Sequence, residues 1–371
     1  MNIWGIFRGF PGLGRVVSGV SILQELRRCG HEVRAWSYLK GKSLCEQYHL
    51  PPIIQKSPER IEISDIGLNP IGRTCHALVE TVLRERPDIV LIDGEALLVQ
   101  ALATVYPRTR LIVLLNPADV WNPSLPVYMT HFYHQHYLAA GTALIHGFQP
   151  PIDRTKIARL EKATGCRMVQ LSTILREEVL QLSQFFPRHL ETPRRLIGIL
   201  GGGSCQVSSS FLHSTVAIGR KMMSVASQIP DSTMEIFCND EAIAEILRRE
   251  DTKFSDGSNL RIYAHYQPPE RMYLHAAGAI CRAGRNTISE LLYLGIPTIL
   301  LHSQGDFRSQ EQQRNMQSLC ASCHATMMVA DLKTDDGSIC KFLQQGPQSS
   351  KPFIPGNHAA VALMKQLMNA R

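Results

Sequence analysis

The feature that most constrains the fold is a strand–helix–strand pattern in residues 278–301. Two short apolar runs, Gly278–Cys281 and Pro297–Leu301, have the length and flanks of buried parallel strands. A helix is predicted between them, from Asn286 to Leu294, and Gly295 would end it. The pattern therefore favours an α/β fold built on a parallel sheet.

The loop before this helix has the features of an anion site. Arg282 and Arg285 flank Gly284, and Asn286 or Thr287 is predicted to cap the helix N-terminus. Free backbone N–H groups, the positive end of the helix dipole and two guanidiniums together favour phosphate. For Arg282 the alternative is a surface or interdomain salt bridge.

The same alternation of strand and helix runs through the whole chain. It predicts a parallel doubly wound sheet in each of two Rossmann-like halves. The other predicted strands are Asn2–Arg8, Glu32–Tyr38, Ile89–Ile92, Leu111–Leu115, Ala143–His146, Met168–Leu171, Leu196–Leu200, Met234–Cys238, Leu260–Ala264 and Thr326–Val329. Between the halves, Pro187 and Pro193 mark Phe186–Arg195 as the linker. At 371 residues the chain is long enough for two domains.

Charge and hydropathy limit the classes of partner. The net charge of +7 favours anionic ligands or weak contact with acidic membranes, and no long Lys/Arg run suggests nucleic-acid binding. The first strand begins almost at Met1, which leaves no room for a signal peptide, and no apolar stretch approaches the ~18–20 residues of a membrane span. We therefore expect a cytoplasmic protein with at most peripheral membrane contact.

One cysteine pattern matches c-type haem attachment, Cys320-Ala-Ser-Cys323-His324. Such haem goes with export, for which there is no signal, and a turn is needed here before the next strand. No second Cys or His pair accompanies the pattern to suggest zinc. We expect a coincidence, no metal site and mostly reduced, buried cysteines.

Two further glycine-rich loops follow predicted strands. Gly9–Arg15 includes Gly12 and Gly14, and Gly201–Ser204 is a second loop whose backbone can hold an anion. A dinucleotide site is the alternative for the first loop. That loop lacks the G-x-G-x-x-G spacing, and no clear ribose-binding acid follows the second strand.

Polar side chains also follow predicted strands in the first half. Asp93 and Glu95 come after one strand and Asn116 after the next, and ligands of parallel sheets gather at such carboxyl ends. A partly buried carboxylate with a raised pKa can act as a general base, although Asp-Gly is also ordinary turn chemistry. The aromatic and histidine-rich segment Trp121–Tyr137 predicts an acceptor-pocket wall, a membrane contact or an irregular packed helix.

The central stretch resembles the donor domain of MurG-like glycosyltransferases of family 28, which have the GT-B fold. The resemblance is carried by Cys281-Arg282-Ala283-Gly284, Thr287-Ile288-Ser289-Glu290, Gly295-Ile296-Pro297 and Glu311-Gln312-Gln313-Arg314-Asn315. It implies two Rossmann-like domains facing each other across a cleft. The acceptor domain would be residues 1–190 and the donor domain residues 191–355, with a helix in 356–371 packing back on the first.

The resemblance also assigns roles to individual residues. Glu290 would accept the ribose hydroxyls (a helix-capping acid is the alternative), and Glu311 and Gln312 would contact the sugar unless they form an exposed polar face. The donor-binding candidates are Gly202, Gly203, Ser204, Tyr266, Arg282, Gly284, Arg285, Asn286, Thr287, Glu290, Glu311 and Gln312. The acceptor-binding candidates are Gly12, Gly14, Arg15 and Asn116, and the catalytic candidates are Asp93, Glu95 and Arg15.

Two positions depart from the family pattern. Arg15 stands where the family has a histidine, and Arg285 stands where relatives carry a small or apolar residue. We hypothesise that Arg285 meets extra negative charge, such as the carboxylate of a glucuronic acid donor.

The sequence therefore predicts metal-independent, inverting transfer of a sugar from a UDP-sugar co-substrate, with no other cofactor. The acceptor would be a nucleobase, a natural-product aglycone or a lipid-linked sugar. The alternatives are a nucleotide-sugar epimerase or hydrolase and a non-catalytic nucleotide-binding scaffold.

Overall fold

The computed structural model divides the chain into two compact units. One comprises Met1–Ile174 and Pro355–Arg371, and the other Leu175–Ile354. The residues described are 1–10, 12–58, 75–122, 126–147, 152–185, 193–201, 209–229, 231–251, 260–302, 309–320, 326–345 and 353–369. The division lies earlier in the chain than residue 190 because α8 (Glu177–Leu182) packs on two helices of the second unit.

The first unit contains a six-stranded parallel sheet in the order β2-β1-β3-β4-β5-β6. Its strands are β1 (Asn2–Phe7), β2 (Glu32–Trp36), β3 (Ile89–Asp93), β4 (Leu111–Leu115), β5 (Thr142–His146) and β6 (Arg167–Leu171). Its helices are α1 (Gly14–Arg28), α2 (Lys40–Gln47), α3 (Cys75–Glu85), α4 (Ala96–Val105), α5 (Pro117–Val120), α6 (Val127–Tyr137), α7 (Arg154–Thr164) and α15 (Asn357–Asn369), with a 3₁₀ turn at Arg108–Arg110.

The second unit contains another six-stranded parallel sheet, in the order β12-β11-β10-β7-β8-β9. Its strands are β7 (Arg194–Ile199), β8 (Ser232–Phe237), β9 (Leu260–Tyr263), β10 (Ala276–Arg282), β11 (Thr298–Leu301) and β12 (Met327–Ala330). Its helices are α8, α9 (Ser209–Ser227), α10 (Glu241–Asp251), α11 (Pro269–Tyr273), α12 (Arg285–Leu294), α13 (Ser309–Cys320) and α14 (Asp336–Leu343).

The predicted α/β fold with two doubly wound parallel sheets is confirmed. Every residue of β3, β4, β5, β10 and β11 is buried, which is why these strands are continuous apolar runs in the sequence. Each predicted strand is present, with its ends shifted by at most two residues.

Each sheet has one point at which the strand order reverses. In the first unit it lies between β1 and β3, and in the second between β7 and β10. Loops leaving the carboxyl ends of two such strands diverge to opposite faces of the sheet, so ligands bind there. The Gly9–Arg15 loop follows β1, Asp93 ends β3, and the Arg282–Gly284 loop follows β10. The topology therefore brings Arg15 and Asp93 to the switch point of the first sheet, and Arg282 and Gly284 to that of the second.

The start of α12 differs from the prediction. The helix begins at Arg285, and Gly284 occupies the N-cap without a side-chain bond, so the predicted capping by Asn286 or Thr287 is wrong. Glycine can occupy this N-cap without a side-chain acceptor, because exposed backbone N–H groups in the first turn of a helix can bind water or a ligand instead. Gly295 ends the helix in the left-handed conformation, with φ of 69°, as predicted.

The C-terminal helix α15 belongs to the first unit and packs on α1. His358 Nδ1 lies 2.5 Å from Glu25 Oε1 across this contact. No helix in the described ranges is long and apolar enough to cross a membrane. Residues 321–324 of the haem-like pattern lie outside those ranges.

Helix α1, which carries Arg15, packs closely against β1 at Gly19, where a side chain would not fit. A Cβ at Gly19 would lie 2.2 Å from the Phe7 ring, and Phe7 is fully buried. We expect Gly19→Ala to destabilise the protein by about 1–3 kcal/mol in chemical denaturation, because the added methyl group overpacks the core.

Combining Gly19→Ala with Phe7→Leu should cost less than the sum of the single changes. If α1 does not pack this closely on β1, Gly19→Ala would instead raise the free energy of unfolding by up to about 1 kcal/mol, because alanine has a higher helix propensity than glycine.

Candidate functional site

In the first unit, two carboxylates meet the guanidinium of Arg15. Arg15 Nη1 donates to Asp93 Oδ1 at 2.5 Å and Nη2 to Asp119 Oδ1 at 2.8 Å. Burial opposes the charge of Arg15, but Asp119 and Asp93 outweigh it and hold its pKa well above the usual value. Arg15 is therefore permanently charged and cannot act as a base.

Asp119 is itself fixed by the start of α5. Its Oδ2 accepts a hydrogen bond from the backbone N–H of Asn116, the N-cap residue, at 2.9 Å. Burial raises the pKa of Asp119, but the charge and hydrogen bond of Arg15 overcome this and lower it. Asp119 therefore stays ionised and holds the Arg15 side chain in one orientation.

Glu95, the N-cap residue of α4, provides a carboxyl group that titrates near neutrality. Its side chain is buried, and Tyr38 donates its hydroxyl to Oε1 at 2.6 Å. Burial raises the pKa of Glu95 to about 7, although the bond from Tyr38 and the charge of Arg8 work against it. A pKa near the working pH is what a general base needs.

A glycine allows Asp93 and Glu95 to belong to one site. Gly94 lies between them with φ of +87°, in the left-handed region that glycine adopts without strain. A Cβ there would also lie 2.6 Å from Arg15 Cδ. Of the loop before α1, Gly12 is half-buried and Gly14 is the exposed first residue of the helix.

In the second unit, Arg282 ends β10 and turns toward the beginning of α9. Its Nη1 donates to Thr215 Oγ1 at 2.5 Å and its Nη2 to Ser214 Oγ at 3.4 Å. The guanidinium also lies 4.2 Å from the centre of the Phe211 ring. Gly202, Gly203 and Ser204, which precede this helix, lie outside the described residues.

The loop after Arg282 is held by two neighbouring elements. Ala283 N donates to Leu301 O at 3.1 Å, and Asn315 Nδ2 donates to Ala283 O at 3.2 Å. Asn315 is the last residue of the family-like pattern, and its buried amide serves to hold this loop. Gly284 is exposed at the N-cap of α12. Arg285, Asn286 and Thr287 form the half-buried first turn after it.

Glu290 forms a buried ion pair that the sequence does not suggest. Arg176 Nε donates to Glu290 Oε1 at 2.7 Å, and Arg176 Nη2 donates to Oε2 at 2.5 Å. Tyr273 donates its hydroxyl to Oε2 at 2.7 Å, and Arg176 Nη1 donates to the half-buried Tyr266 hydroxyl at 2.7 Å. Burial opposes the charge of Arg176, but Glu290 outweighs it and raises the pKa of Arg176 well above its usual value.

This geometry bears on both interpretations of Glu290. It is the sixth residue of α12, not in the first turn, so the alternative of a capping acid is wrong. Both carboxylate oxygens already accept bonds within the protein, and a ribose hydroxyl would have to use a remaining lone pair or replace one of these donors. The ribose-binding role stays a prediction.

The two α13 candidates differ in exposure. Glu311 is exposed, whereas Gln312 is buried, so only Glu311 fits the alternative of an exposed polar face. No group of three or more His, Cys, Asp or Glu side chains suited to a metal ion is found within the described part of the chain.

The structure thus gathers Arg15, Asp93, Glu95 and Asn116 in one unit and Tyr266 with Glu290 in the other. Sequence reasoning missed Asp119, Tyr38, Arg176 and Tyr273. Asp119 had a detectable signal, because it lies three residues after Asn116 as in a capping box. Arg176 is 114 residues from Glu290 and had none.

Comparison with protein families matches residues 243–352 to the glycosyltransferase family 28 C-terminal domain. Comparison with curated proteins gives no match.

Solved structures with a similar fold include three glycosyltransferases. MurG from Acinetobacter baumannii is 11% identical, with 98% of this chain and 99% of that one covered and a TM-score of 0.57. SnogD from Streptomyces nogalater is 17% identical over 99% of both chains, with a TM-score of 0.58. Glycyrrhiza uralensis UGT73P12, solved with glycyrrhetinic acid 3-O-monoglucuronide, is 11% identical over 100% and 96%, with a TM-score of 0.62.

The buried ion pair of Arg176 and Glu290 allows a prediction about stability. We expect Arg176→Met to cost about 3–5 kcal/mol of unfolding free energy, because the Glu290 carboxylate would stay buried without its counter-charge. Chemical denaturation measures this, and adding Glu290→Gln should recover part of the loss.

Arg220 offers a matched control. It binds Glu250 with the same bidentate geometry, Nε to Oε2 at 2.8 Å and Nη2 to Oε1 at 2.5 Å, but its side chain is 53% exposed. Arg220→Met should cost no more than about 1 kcal/mol. Equal losses of unfolding free energy in Arg176→Met and Arg220→Met would contradict the importance of burial at Arg176.

Proposed function

We propose that this chain, a MurG-like glycosyltransferase of the GT-B fold with a family 28 C-terminal domain at residues 243–352, moves a hexosyl group from a UDP-sugar to a small-molecule acceptor. The observation that carries the proposal is the loop of Arg282, Gly284 and Arg285 at the switch point of the second sheet. It lies within the matched domain, and Asn315 fixes it.

The second unit would bind the donor. The exposed N-terminus of α12 and the side chain of Arg285 would neutralise the diphosphate, together with Gly202, Gly203 and Ser204. Arg282 would act from the first half of α9, where it now bonds the hydroxyl groups of Thr215 and Ser214. These groups would stabilise the leaving UDP without a metal ion.

Tyr266 and Glu290 would surround the nucleoside. Since Arg176 contacts both, it would position the Glu290 carboxylate for the ribose and the tyrosine for the base. Gln312 and Glu311 would contact the sugar. The buried Gln312 would be the more rigid of the two.

The first unit would bind and activate the acceptor. Arg15 stays charged, so it would orient Asp93 and would not take a proton. Glu95, with a pKa of about 7, would accept the proton as the acceptor attacks the sugar C1 from the side opposite to UDP. A single displacement of this kind inverts the configuration at C1.

Arg285 would favour a donor with a carboxylate. A guanidinium can bind a uronic acid carboxylate through two parallel hydrogen bonds. The fold neighbour UGT73P12, whose structure holds a glucuronide, makes UDP-glucuronate a reasonable first donor to test.

Thermal shift with nucleotides tests donor binding. We expect UDP, UDP-glucose and UDP-glucuronate to stabilise the protein, by about 2.7 kcal/mol at 100 times Kd, and UDP-glucuronate to bind most tightly. Arg285→Ala should weaken binding of all three nucleotides, because it removes a cation from the diphosphate, and should also remove the preference for UDP-glucuronate, because that preference depends on the guanidinium.

Arg249→Ala is the matched control, since this arginine is 80% exposed on α10 and should not change any shift. No stabilisation by any uridine nucleotide would overturn the proposed function. Equal affinity for UDP-glucose and UDP-glucuronate in both wild type and Arg285→Ala would overturn only the uronic-acid assignment.

Glu95→Gln should lower kcat by about 10²–10⁴-fold, because the amide cannot accept the proton. In the wild type, kcat/KM should rise with pH up to about 7 and then level off, and the variant should lack this rise. Rates over pH 5–9 measure both effects, with exposed Glu80→Gln as control. Near-normal turnover in both Glu95→Gln and Asp93→Asn would show that the base lies elsewhere.

The raised pKa of Glu95 also predicts that the stability of the protein depends on pH. The pKa of this carboxyl group is higher in the folded chain than the ordinary 4.5, so folding favours the protonated form and stability falls as pH rises from about 4.5 to 7. The loss is at most about 3 kcal/mol, at 1.36 kcal/mol for each pKa unit. Glu95→Gln should remove this part of the pH dependence.

A further inference from the structure

Helix α6 is unusually aromatic and is only lightly buried. Between Val127 and Tyr137 it carries four aromatic rings and three histidines, and only Tyr137 is fully buried. Val127 and Tyr128 at its N-terminus are each 72% exposed, and Trp121 just before it is 48% exposed. An ordinary packed helix would bury a wider apolar stripe, so the incompletely buried rings of α6 suggest a surface for a ligand.

One face of α6 forms a ring stack. The Tyr133 and Tyr137 rings have centroids 5.8 Å apart and planes only 19° from parallel. They are four residues apart, so they lie one above the other on the same face of the helix. Tyr137 is buried at the inner end of the stack, whereas Tyr133 is half-buried. Some surface of Tyr133 is therefore open to solvent, while the Phe132 ring lies edge-on to it with centroids 5.8 Å apart.

This face is attached to the elements that hold the candidate catalytic residues. Helix α6 packs on α4, which begins after Glu95, and on α5, which contains Asp119. The ring nitrogen Nε2 of His134 lies 2.7 Å from the carbonyl oxygen of Val120, the residue after Asp119. The stack is thus held next to the Arg15–Asp93–Asp119 cluster in the same unit.

The charges of that cluster reach Tyr137. Burial raises the pKa of Tyr137, and the charges of Arg15 and Asp119 act on it in opposite directions. The buried phenol therefore remains protonated and neutral. Its ring gives Tyr133 a rigid backing.

We propose that the acceptor is a planar aromatic compound bearing a hydroxyl group, and that its ring stacks on Tyr133 as a continuation of the Tyr133–Tyr137 stack. A planar ring fits this surface because offset-stacked aromatic pairs gain energy beyond their buried area. An alkyl chain or saturated ring would lose that gain. The inference rests on the proposed glycosyltransferase function and names its acceptor class.

The reaction would then proceed in one balanced step. The phenolic oxygen forms a bond to C1 of the sugar while the bond from C1 to the UDP oxygen breaks. The phenolic proton passes to the carboxylate of Glu95, and UDP leaves with the bonding electron pair as its additional negative charge.

A matched pair of acceptors tests the inference. 1-Naphthol and its saturated counterpart decahydro-1-naphthol are incubated with the enzyme and UDP-sugars, and the glycosides are quantified by mass spectrometry. We expect transfer to 1-naphthol to be favoured. Tyr133→Leu should raise the KM for 1-naphthol by roughly 2- to 12-fold, because stacking is lost, with little change for the saturated alcohol.

Two variants serve as controls. Tyr133→Phe keeps the ring and should therefore give a KM for 1-naphthol much closer to the wild-type value than Tyr133→Leu gives. Tyr128→Leu removes an exposed ring five residues earlier, about 140° around the helix, and should also have no effect. A thermal shift with UDP checks that donor binding is intact in each variant.

The possible failures are distinguishable. No shift with any uridine nucleotide would indicate failure of the proposed function itself. With donor binding intact, equal transfer to both alcohols, transfer to neither, or an unchanged KM in Tyr133→Leu would overturn the aromatic acceptor. Binding of the wild type to anionic phospholipid vesicles that Tyr133→Leu abolishes, while the KM of that variant for 1-naphthol is unchanged, would assign the Tyr133 ring to a membrane surface and would also overturn it.

Discussion

Parallel pairing of β1 with β3 and of β7 with β10 is the constraint on which the rest of the structure depends. Parallel strands place all their carboxyl ends at one edge, and the reversal of strand order between these pairs leaves room for a ligand there. Asp93 and the Arg15 loop meet at the first reversal, and the Arg282–Gly284 loop leaves the second. Candidate residues that are far apart in the chain come together because the strands between them are buried and cannot shift register.

Burial then decides the chemistry of the residues gathered at these edges. A buried or half-buried arginine is costly unless carboxylates compensate its charge, and both Arg15 and Arg176 have such partners at hydrogen-bond distance. Glu95 instead accepts its hydrogen bond from the neutral hydroxyl of Tyr38, so burial dominates and the pKa of Glu95 rises to about 7. Because Arg15 stays charged, the proposed proton-accepting role falls to a neighbouring carboxyl group.

Sequence reasoning succeeded where the signal was local. The apolar runs predicted the strands because fully buried strands have no polar face, and Gly295 predicted the end of α12 because glycine readily adopts the left-handed conformation. It was wrong about the cap of α12, where Asn286 and Thr287 lie inside the helix. Both residue types are favourable N-caps, but the end of β10 fixes where the helix starts, and Gly284 occupies that point.

The sequence by itself determined the two parallel sheets, the glycine- and arginine-containing loop after β10 and the presence of carboxyl groups after β3. These follow from periodicity and from residue types that are adjacent in the chain. Only the tertiary structure decided that Arg176 pairs with Glu290, that Asp119 holds Arg15 and that Tyr133 stacks on a buried Tyr137. The reason is physical: ion pairing, desolvation and ring stacking depend on distances between side chains, and these distances exist only after the sheets and helices have packed.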